Sequence, residues 1–469
     1  MPESSASISP LSLGSRITLL PVVHGSGACA LAVRRWLLEN PCDCLAIPLP
    51  DSFRYGVMDA VQSLPNSSIV IQKPMASFSS DWSEADEHIA IPATREASWS
   101  YVPIDPCQPV IMALRVALGE PWKIEFCDLE TDQFEPVTAM LPDGYALRKV
   151  SLERFATAVL PSLPQRLHYI AWKLRQLEKK HQHIVMLCSL MEWPWLREAY
   201  HEPVDELPEH DPVEIPTSYS VNPSSLLFLF GELPYITGLY EQARVQMEND
   251  ENLAIDGVKH LLMSARSSYL QDFGKRARKI TPLMLSQCLK YIRNLSLMER
   301  RMTPDMYTIA VAAQQIVGDQ FTIHLIEAAR SYPFYQEQGQ PEVTLGIDQA
   351  RLPGDEPVPI VSRLPGQPMS WRSLELRRRP SKQELHRWQM RWNPYSQCAW
   401  PPEDQFIESF RTRVADRAKE MIGADLAKTE KFSTSIKDGI DIRETLRHWY
   451  DGDIYVKVMQ PSIGSLDCV

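Results

Sequence analysis

The feature that most constrains the fold is an alternation of buried-strand and helix patterns over residues 14–202. Continuous apolar runs recur between longer segments whose apolar residues repeat at helical spacing. Runs that are apolar throughout, rather than at every second position, are typical of strands buried on both faces of a parallel sheet. Five strands are predicted, at Ile17–Val23, Cys42–Leu49, Ser68–Gln72, Ile124–Leu129 and His183–Leu190.

Helices are predicted between these strands. One of them follows the pair Asp105-Pro106, which indicates a capping aspartate and a proline in the first turn. The predicted helices cover Ala28–Glu39, Arg54–Ser63, Gln108–Leu118 and Gln165–Lys180. Strands that alternate with helices predict an α/β domain at residues 14–202, with a mostly parallel sheet covered by helices on both faces.

Composition divides the remainder of the chain. Residues 203–223 are acidic and proline-rich and predict a linker. Residues 224–332 predict a helical domain, with helices at Ala254–Tyr269, Thr281–Leu297 and Thr303–Ile316. Residues 333–380 are rich in proline and glycine and predict a second linker.

A small mixed α+β segment is predicted at residues 381–469. It contains an amphipathic helix pattern at Glu403–Ala427 and a strand pattern at Ile454–Val458. Because a further strand pattern begins at the last residues, we expect either a truncated C-terminus or a sheet that another chain completes.

Charge, hydropathy and cysteine content indicate which partners and which cellular location to expect. The net charge is -11, from 48 basic and 59 acidic residues, which disfavours binding to nucleic acid. The sequence shows neither a signal peptide nor an apolar run of the roughly 18 residues that a membrane helix needs. The 9 cysteines are odd in number and several lie in apolar runs, which indicates reduced, buried thiols and a cytoplasmic location.

Polar residues follow each predicted strand, where the carboxyl ends of a parallel sheet meet at one edge. In chain order they are His24, Gly25, Ser26, Gly27, Asp51, Lys73, Asp128, Glu130 and Glu192. One histidine, one lysine, one hydroxyl and several carboxylates in one place could bind a ligand, hold a divalent cation or support general acid–base chemistry.

Each candidate also has a simpler interpretation. The turn His24–Gly27 opens a helix and could bind an anion at its free amides, but a tight strand-to-helix turn explains the same residues. It lacks the third glycine of a dinucleotide fingerprint, which is Ala30 here. Asp128 and Glu130 could simply solvate the end of a strand. The basic run Arg377–Arg379 could contact a phosphate backbone or be a solvated surface segment.

The segment PVVHGSGACALAVRRWL at residues 21–37 resembles the erythromycin esterase-like, TIKI and ChaN-type superfamily. It is most similar to a bacterial branch whose members are encoded beside MoxR-type AAA ATPases and von Willebrand A domain proteins. The first family histidine matches His24, whereas Pro48 replaces the family glutamate and Glu192 replaces the second histidine. Proline can neither ligate a metal nor transfer a proton. The resemblance therefore implies a hydrolase-like fold whose catalytic pattern is eroded.

Three functional hypotheses follow. The first is a non-catalytic, degenerate hydrolase-like scaffold or ligand-sensing component of a multi-protein assembly, with an AAA ATPase as a partner. The second is a hydrolase that uses one divalent metal ion, with Asp51 and Glu192 as catalytic residues; its metal ligands would be His24, Asp128, Glu130 and Glu192. The third is nucleic-acid contact through Arg377–Arg379.

Overall fold

The computed structural model describes most of the N-terminal four fifths of the chain and two short C-terminal strands. The described residues are 11–75, 98–137, 150–160, 164–203, 206–246, 253–299, 301, 303–336, 341–369, 372–376, 428–431 and 455–458. The chain divides into two compact units, residues 1–377 and residues 378–469. The predicted helix Glu403–Ala427 and the basic run Arg377–Arg379 lie outside the described residues.

The first unit contains eleven of the strands and all of the helices in the described part of the chain. Its strands are β1 Leu11–Ser12, β2 Ile17–Val22, β3 Cys44–Ile47, β4 Ser68–Gln72, β5 Trp99–Ile104, β6 Lys123–Phe126, β7 Ile184–Ser189, β8 Thr217–Val221, β9 Glu342–Leu345, β10 Gln349–Arg351 and β11 Pro357–Ser362.

Its helices are α1 Gly27–Glu39, α2 Arg54–Gln62, α3 Pro109–Ala117, α4 Leu152–Val159, α5 Gln165–Glu178, α6 Trp193–His201, α7 Leu226–Leu229, α8 Pro234–Gln246, α9 Leu253–Phe273, α10 Pro282–Met298, α11 Met306–Ile316 and α12 Asp319–Ala329. Short 3-10 turns at Asp51–Phe53, Pro223–Ser225 and Gly274–Arg276 join some of these elements.

The α/β region contains a five-stranded sheet whose strand order is β1-β2-β7-β3-β6. Strands β2, β7, β3 and β6 pair in parallel, while β1 pairs antiparallel with β2. The mostly parallel sheet that the sequence predicts is therefore a mixed sheet. It also lacks the third predicted strand, Ser68–Gln72.

Helices cover both faces of this sheet, as predicted. On one face, Leu20 and Ile47 share a core with Leu37 of α1 and Ile111 of α3. On the other face, Leu19 packs with side chains of α5 and α6. Adjacent residues of a strand point to opposite faces, so an apolar run such as β2 serves both cores at once.

The missing strand belongs to a closed six-stranded barrel with the order β10-β11-β5-β4-β8-β9. Strand β4 pairs antiparallel with both β5 and β8. Ile69, Val221 and Ile360 from three of these strands lie in one core. The prediction that Ser68–Gln72 joins the parallel sheet is wrong because a local apolar run does not specify its partners.

The barrel also contains strands from segments that the sequence predicts as linkers. Strand β8 lies within residues 203–223, and β9, β10 and β11 lie within residues 333–380. These strands are short and contain polar residues or proline, so their composition resembles that of a loop. These segments form strands because they pair with strands that are distant in sequence, and not because their own residues are apolar.

The helices that follow α7 pack into a core of their own, which includes Leu261, Ile309 and Phe321. Leu31 of α1 and Cys107 belong to the same core. The helical region therefore packs onto the α/β region, and both lie within the unit of residues 1–377.

The second unit is described only at β12 Lys428–Lys431 and β13 Tyr455–Val458, which pair antiparallel. The predicted C-terminal strand is present there as β13. Among the described residues, no helix is both long and apolar enough to span a bilayer. The described cysteines carry free thiols, and all of them except the partly exposed Cys29 are buried.

Candidate functional site

His24 lies just beyond the carboxyl end of β2, and its ring is held by Gln108. The His24 Nδ1 atom is 3.0 Å from Gln108 Oε1. The Gln108 Nε2 group donates to the carbonyl of Leu364 at 3.3 Å, and the amide of Gly25 donates to Oε1 at 3.4 Å. These two bonds orient the Gln108 side chain so that its oxygen faces His24. Nδ1 therefore carries the ring proton, which leaves Nε2 as the unprotonated ring nitrogen.

His24 is 8% exposed, and burial lowers its pKa to about 4, with a further contribution from the positive charge of Arg166. The hydrogen bond to Gln108 acts in the opposite direction but is smaller than the effect of burial. At neutral pH the ring is therefore uncharged. A neutral imidazole with a free Nε2 can accept a hydrogen bond, take a proton or ligate a metal.

The turn after His24 contacts a second loop directly through backbone. Gly25 has a φ of 71°, a left-handed conformation that favours glycine. A Cβ atom placed on Gly231 would lie 2.1 Å from the Cα atom of Gly25, so the two glycines touch backbone to backbone. This contact joins the first strand–helix turn to the segment that precedes α8.

The amino end of α1 is occupied by groups of the protein itself. Ser26 caps the helix, since its hydroxyl accepts from the amide of Cys29 at 3.3 Å. The amide of Gly27 donates to the carboxyl group of Glu232 at 3.2 Å. The position at which the sequence left an external anion as one alternative is therefore filled by the Glu232 side chain.

A second buried acid, Asp105, connects the same elements. Its two carboxyl oxygens accept from the amides of Cys107 at 2.8 Å and Gly231 at 2.9 Å. Burial raises the pKa of Asp105 to about 6. Burial, reinforced by the nearby negative charge of Asp105, raises the pKa of Glu232 to about 8. Two buried acids thus lie beside a neutral histidine.

These residues line a cavity of about 530 Å³, which we call the His24 cavity. Its remaining walls come from the barrel strands β5 and β11, from Pro136, and from residues 227–233, 301, 303–306, 346–348 and 364–369. Apolar side chains form the larger part of the lining, which also contains the charged side chains of Asp105, Glu232, Arg301, Asp305 and Asp348. The predicted ligand-binding residues that line it are His24, Gly25 and Ser26.

Two of the other predicted metal ligands, Asp128 and Glu192, bind an arginine. Arg166, in the first turn of α5, donates to Asp128 at 2.9 Å and also to Glu192. These ion pairs raise the pKa of the Arg166 guanidinium, although burial opposes them. The described residues contain no group of three or more histidine, cysteine or acidic side chains placed to hold a metal ion.

The strand-end rule did bring His24, Asp128 and Glu192 to one region, since all three interact with the charge of Arg166. They do not fit a divalent cation as they stand, because the guanidinium already neutralises both carboxylates. Metal ligation by this set would require Arg166 to move away.

The remaining predicted residues lie in other surroundings. Asp51 is exposed, and its Oδ1 atom lies 2.7 Å from Nε of Arg54. This surface ion pair does not support the predicted role of Asp51 as a general base. Lys73 lies over the ring of Trp99, with its Nζ atom 5.0 Å from the ring centroid. Glu130 accepts from the amide of Ser52 at 2.7 Å.

A second buried arginine, Arg363, connects the barrel to the loop after β6. It donates to Ser100 at 3.1 Å, to Gln72 at 3.0 Å and to the carbonyl of Thr131 at 2.8 Å. Its guanidinium also lies 4.9 Å from the ring centroid of Phe134. Burial lowers the pKa of Arg363 to about 10, a value at which the side chain remains charged at neutral pH.

Sequence reasoning missed Gln108, Arg166, Glu232 and Arg363. Glu232 carries the clearest signal, because it is a single acid inside the otherwise apolar stretch FLFGELP at residues 228–234. An acid surrounded by apolar residues is a candidate for burial. Arg166 opens an amphipathic helix, a position at which arginine is ordinarily solvated, so the sequence does not indicate its ion pairs.

Comparison of the chain with protein-family models, with curated proteins and with solved structures finds no match in any of the three. The resemblance to the erythromycin esterase-like superfamily therefore stays a prediction.

Proposed function

We propose that the protein is a non-catalytic, hydrolase-like component of a multi-protein assembly, and that it senses a small molecule bound in the His24 cavity. The cavity is the observation that carries this proposal. Its volume of about 530 Å³ lies within the range of roughly 300–1,000 Å³ that is typical of small-molecule sites. A lining that combines apolar walls with converging polar groups is also typical of such sites.

The polar groups in the cavity are suited to recognition. His24 offers the acceptor Nε2, and its neutral state persists across the physiological pH range because burial lowers its pKa to about 4. Gln108 holds the ring through a bond at 3.0 Å, so the acceptor is positioned before a ligand arrives. A preorganised acceptor increases affinity because little conformational freedom is lost on binding.

The surroundings of the other predicted residues favour binding over hydrolysis. Asp128 and Glu192 are both paired with Arg166, and Asp51 is paired with Arg54 at the surface. A metal-dependent hydrolase would need these carboxylates unpaired and directed at one cation. The resemblance described above supplies the other parts of the proposal: a bacterial cytoplasmic setting and an assembly that includes an AAA ATPase.

A fluorescent probe tests the binding function. N-phenyl-1-naphthylamine has an apolar body and one N–H donor, and its emission rises in an apolar environment. We expect saturable binding at one site per chain. Val361→Trp and Leu227→Trp, at two half-buried positions that line the cavity, should each weaken binding by about tenfold or more because they fill the space.

The matched control is Ile215→Trp, at a side chain that is 86% exposed. It introduces the same indole away from the cavity and should leave probe affinity unchanged. Circular dichroism of each variant checks that it is folded. Probe affinity that stays the same in both folded cavity-filling variants would refute the proposal.

A further inference from the structure

The buried carboxylates of the described residues fall into two groups. They are Asp105, Asp128, Glu192, Glu232 and Glu241. Asp128 and Glu192 share Arg166, and Glu241 forms a two-bond ion pair with Arg115 at 2.7 and 3.0 Å. A buried carboxylate without a cation is energetically unfavourable, so such pairing is the ordinary arrangement.

Asp105 and Glu232 are the exceptions, since neither forms an ion pair within the part of the chain that the structure describes. Asp105 is 1% exposed and Glu232 is 6% exposed, and both line the His24 cavity. Asp105 has its two oxygens occupied by backbone amides, whereas Glu232 has one amide bond, from Gly27. The two buried acids without a counter-ion therefore meet at one empty volume.

Other groups around the cavity add hydrogen-bond acceptors. Gln367 Oε1 is buried and has no hydrogen-bond partner among the described residues. His24 presents Nε2 as an acceptor because its proton is on Nδ1. The basic side chain in the lining is Arg301, which donates to the carbonyl of Pro368 at 3.2 Å and has its Nε atom 3.8 Å from Asp305. A ligand that donates hydrogen bonds and carries positive charge complements this lining.

The apolar part of the lining suits the body of such a ligand. Tyr101, Phe228 and Phe230 contribute aromatic side chains, and leucine side chains from segment 227–233 surround them. Aromatic rings attract organic cations as well as apolar groups.

We propose that the His24 cavity binds an organic ammonium cation, a protonated primary amine on an apolar body, with the Glu232 carboxylate as its counter-ion. This inference rests on the proposed binding function and adds the chemical class of the ligand.

A pH dependence follows from the position of Glu232. Burial has the largest effect on the pKa of Glu232 and raises it. The negative charge of Asp105 raises this pKa further, the positive charge of Arg301 lowers it, and the resulting pKa is about 8. The free protein therefore holds Glu232 mostly protonated at pH 7. An ammonium ion beside Glu232 favours the ionised form, so binding releases a proton from this residue. Affinity should rise with pH up to about 8, by as much as about tenfold per pH unit.

Three probes with similar bodies separate charge from shape: 2-phenylethylamine, 2-phenylethanol and 3-phenylpropionate. Calorimetric titration at pH 7.5 should give an affinity for the amine at least about tenfold above that for the alcohol, with the carboxylate weakest. The amine remains protonated below pH 9. Its affinity should increase by about tenfold between pH 6.5 and pH 8.

The decisive variant is Glu232→Gln, which keeps the shape of the side chain and an oxygen for the amide of Gly27. It should reduce the preference for the amine to less than about threefold and abolish the pH dependence, while binding of the alcohol stays unchanged. The control is Glu198→Gln, which makes the same change at an exposed side chain outside the cavity lining. The control should keep the preference.

Equal affinities for amine and alcohol in the natural protein would overturn the inference, as would a preference that survives in Glu232→Gln. Binding of N-phenyl-1-naphthylamine together with equal probe affinities would refute the ammonium ligand but leave the binding function supported. Failure of all four molecules to bind would overturn both.

Discussion

The contact between Gly25 and Gly231 should make Gly231→Ala strongly destabilising. The new Cβ would lie 2.1 Å from the Cα atom and 2.2 Å from the carbonyl oxygen of Gly25. Non-bonded carbon atoms pack at about 3.5 Å, so the two segments must separate by more than about 1 Å. Both sides of the contact are backbone, and no change of side-chain rotamer can relieve it.

Separation of the two segments should break two buried hydrogen bonds. One joins the amide of Gly231 to Asp105 at 2.9 Å, and the other joins the amide of Gly27 to Glu232 at 3.2 Å. Leaving a buried hydrogen-bonding group without its partner costs about 1–3 kcal/mol. We therefore expect Gly231→Ala to lower the free energy of unfolding by about 3–5 kcal/mol, within the range of severe single substitutions.

Urea denaturation monitored by circular dichroism measures this difference. Gly119→Ala is the matched control, because a Cβ there meets only the carbonyl oxygen of Val116, at an ordinary 3.5 Å. The control should change the free energy of unfolding by less than about 1 kcal/mol. A loss below about 1 kcal/mol for Gly231→Ala would show that the two backbone segments are not in contact.

Two further predictions concern the charged groups. Arg166→Met leaves Asp128 and Glu192 buried without a partner and should lower the free energy of unfolding by about 3–5 kcal/mol at pH 7. Arg166→Lys keeps a positive charge beside the two carboxylates and should lose less stability in urea denaturation, and equal losses for the two variants would contradict the ion-pair account. His24 has a folded pKa of about 4, below its ordinary 6.5, so its contribution to stability is present above pH 6.5 and is lost as pH falls towards 4. This loss of stability should amount to about 3 kcal/mol. It is measured as the free energy of unfolding of the natural protein minus that of His24→Gln, at pH 7 and again near pH 4. A difference that does not vary with pH would exclude a contribution of His24 to the pH dependence of stability.

Asp105 does not cap the helix that the sequence predicts it to cap, because Gln108 holds the cap position, yet Asp105 has another structural role. The sequence predicts that it caps the following helix, and its Oδ1 atom does bind the amide of Cys107. The helix itself begins at Pro109, and Oδ2 binds Gly231 at 2.9 Å. Proximity in sequence indicated the first bond. The second bond joins residues far apart in the chain, which no local pattern encodes.

The strand-end rule had a similar outcome at the candidate site. It placed His24, Asp128 and Glu192 in one region because parallel strands end at the same edge of a sheet. It could not include Arg166, which reaches these carboxylates from the first turn of α5. One guanidinium changes a set of apparent metal ligands into an ion-paired cluster.

Local patterns determined which segments are strands and helices wherever the apolar signal is continuous. Strand β4 was predicted at its observed bounds, and α5 and β7 to within two residues, because burial of an apolar run depends mainly on its own composition. The helical cover on both faces of the sheet followed from the same reasoning.

Only the tertiary structure decided which strands pair and which polar groups meet. The barrel unites β4 with strands from residues 99–104, 217–221 and 342–362, and several of these are polar or contain proline. The pKa of Glu232, the tautomer of His24 and the cavity between them depend on groups that are distant in sequence. Burial and hydrogen bonding depend on every atom around a group, whereas a sequence pattern reports only its neighbours along the chain.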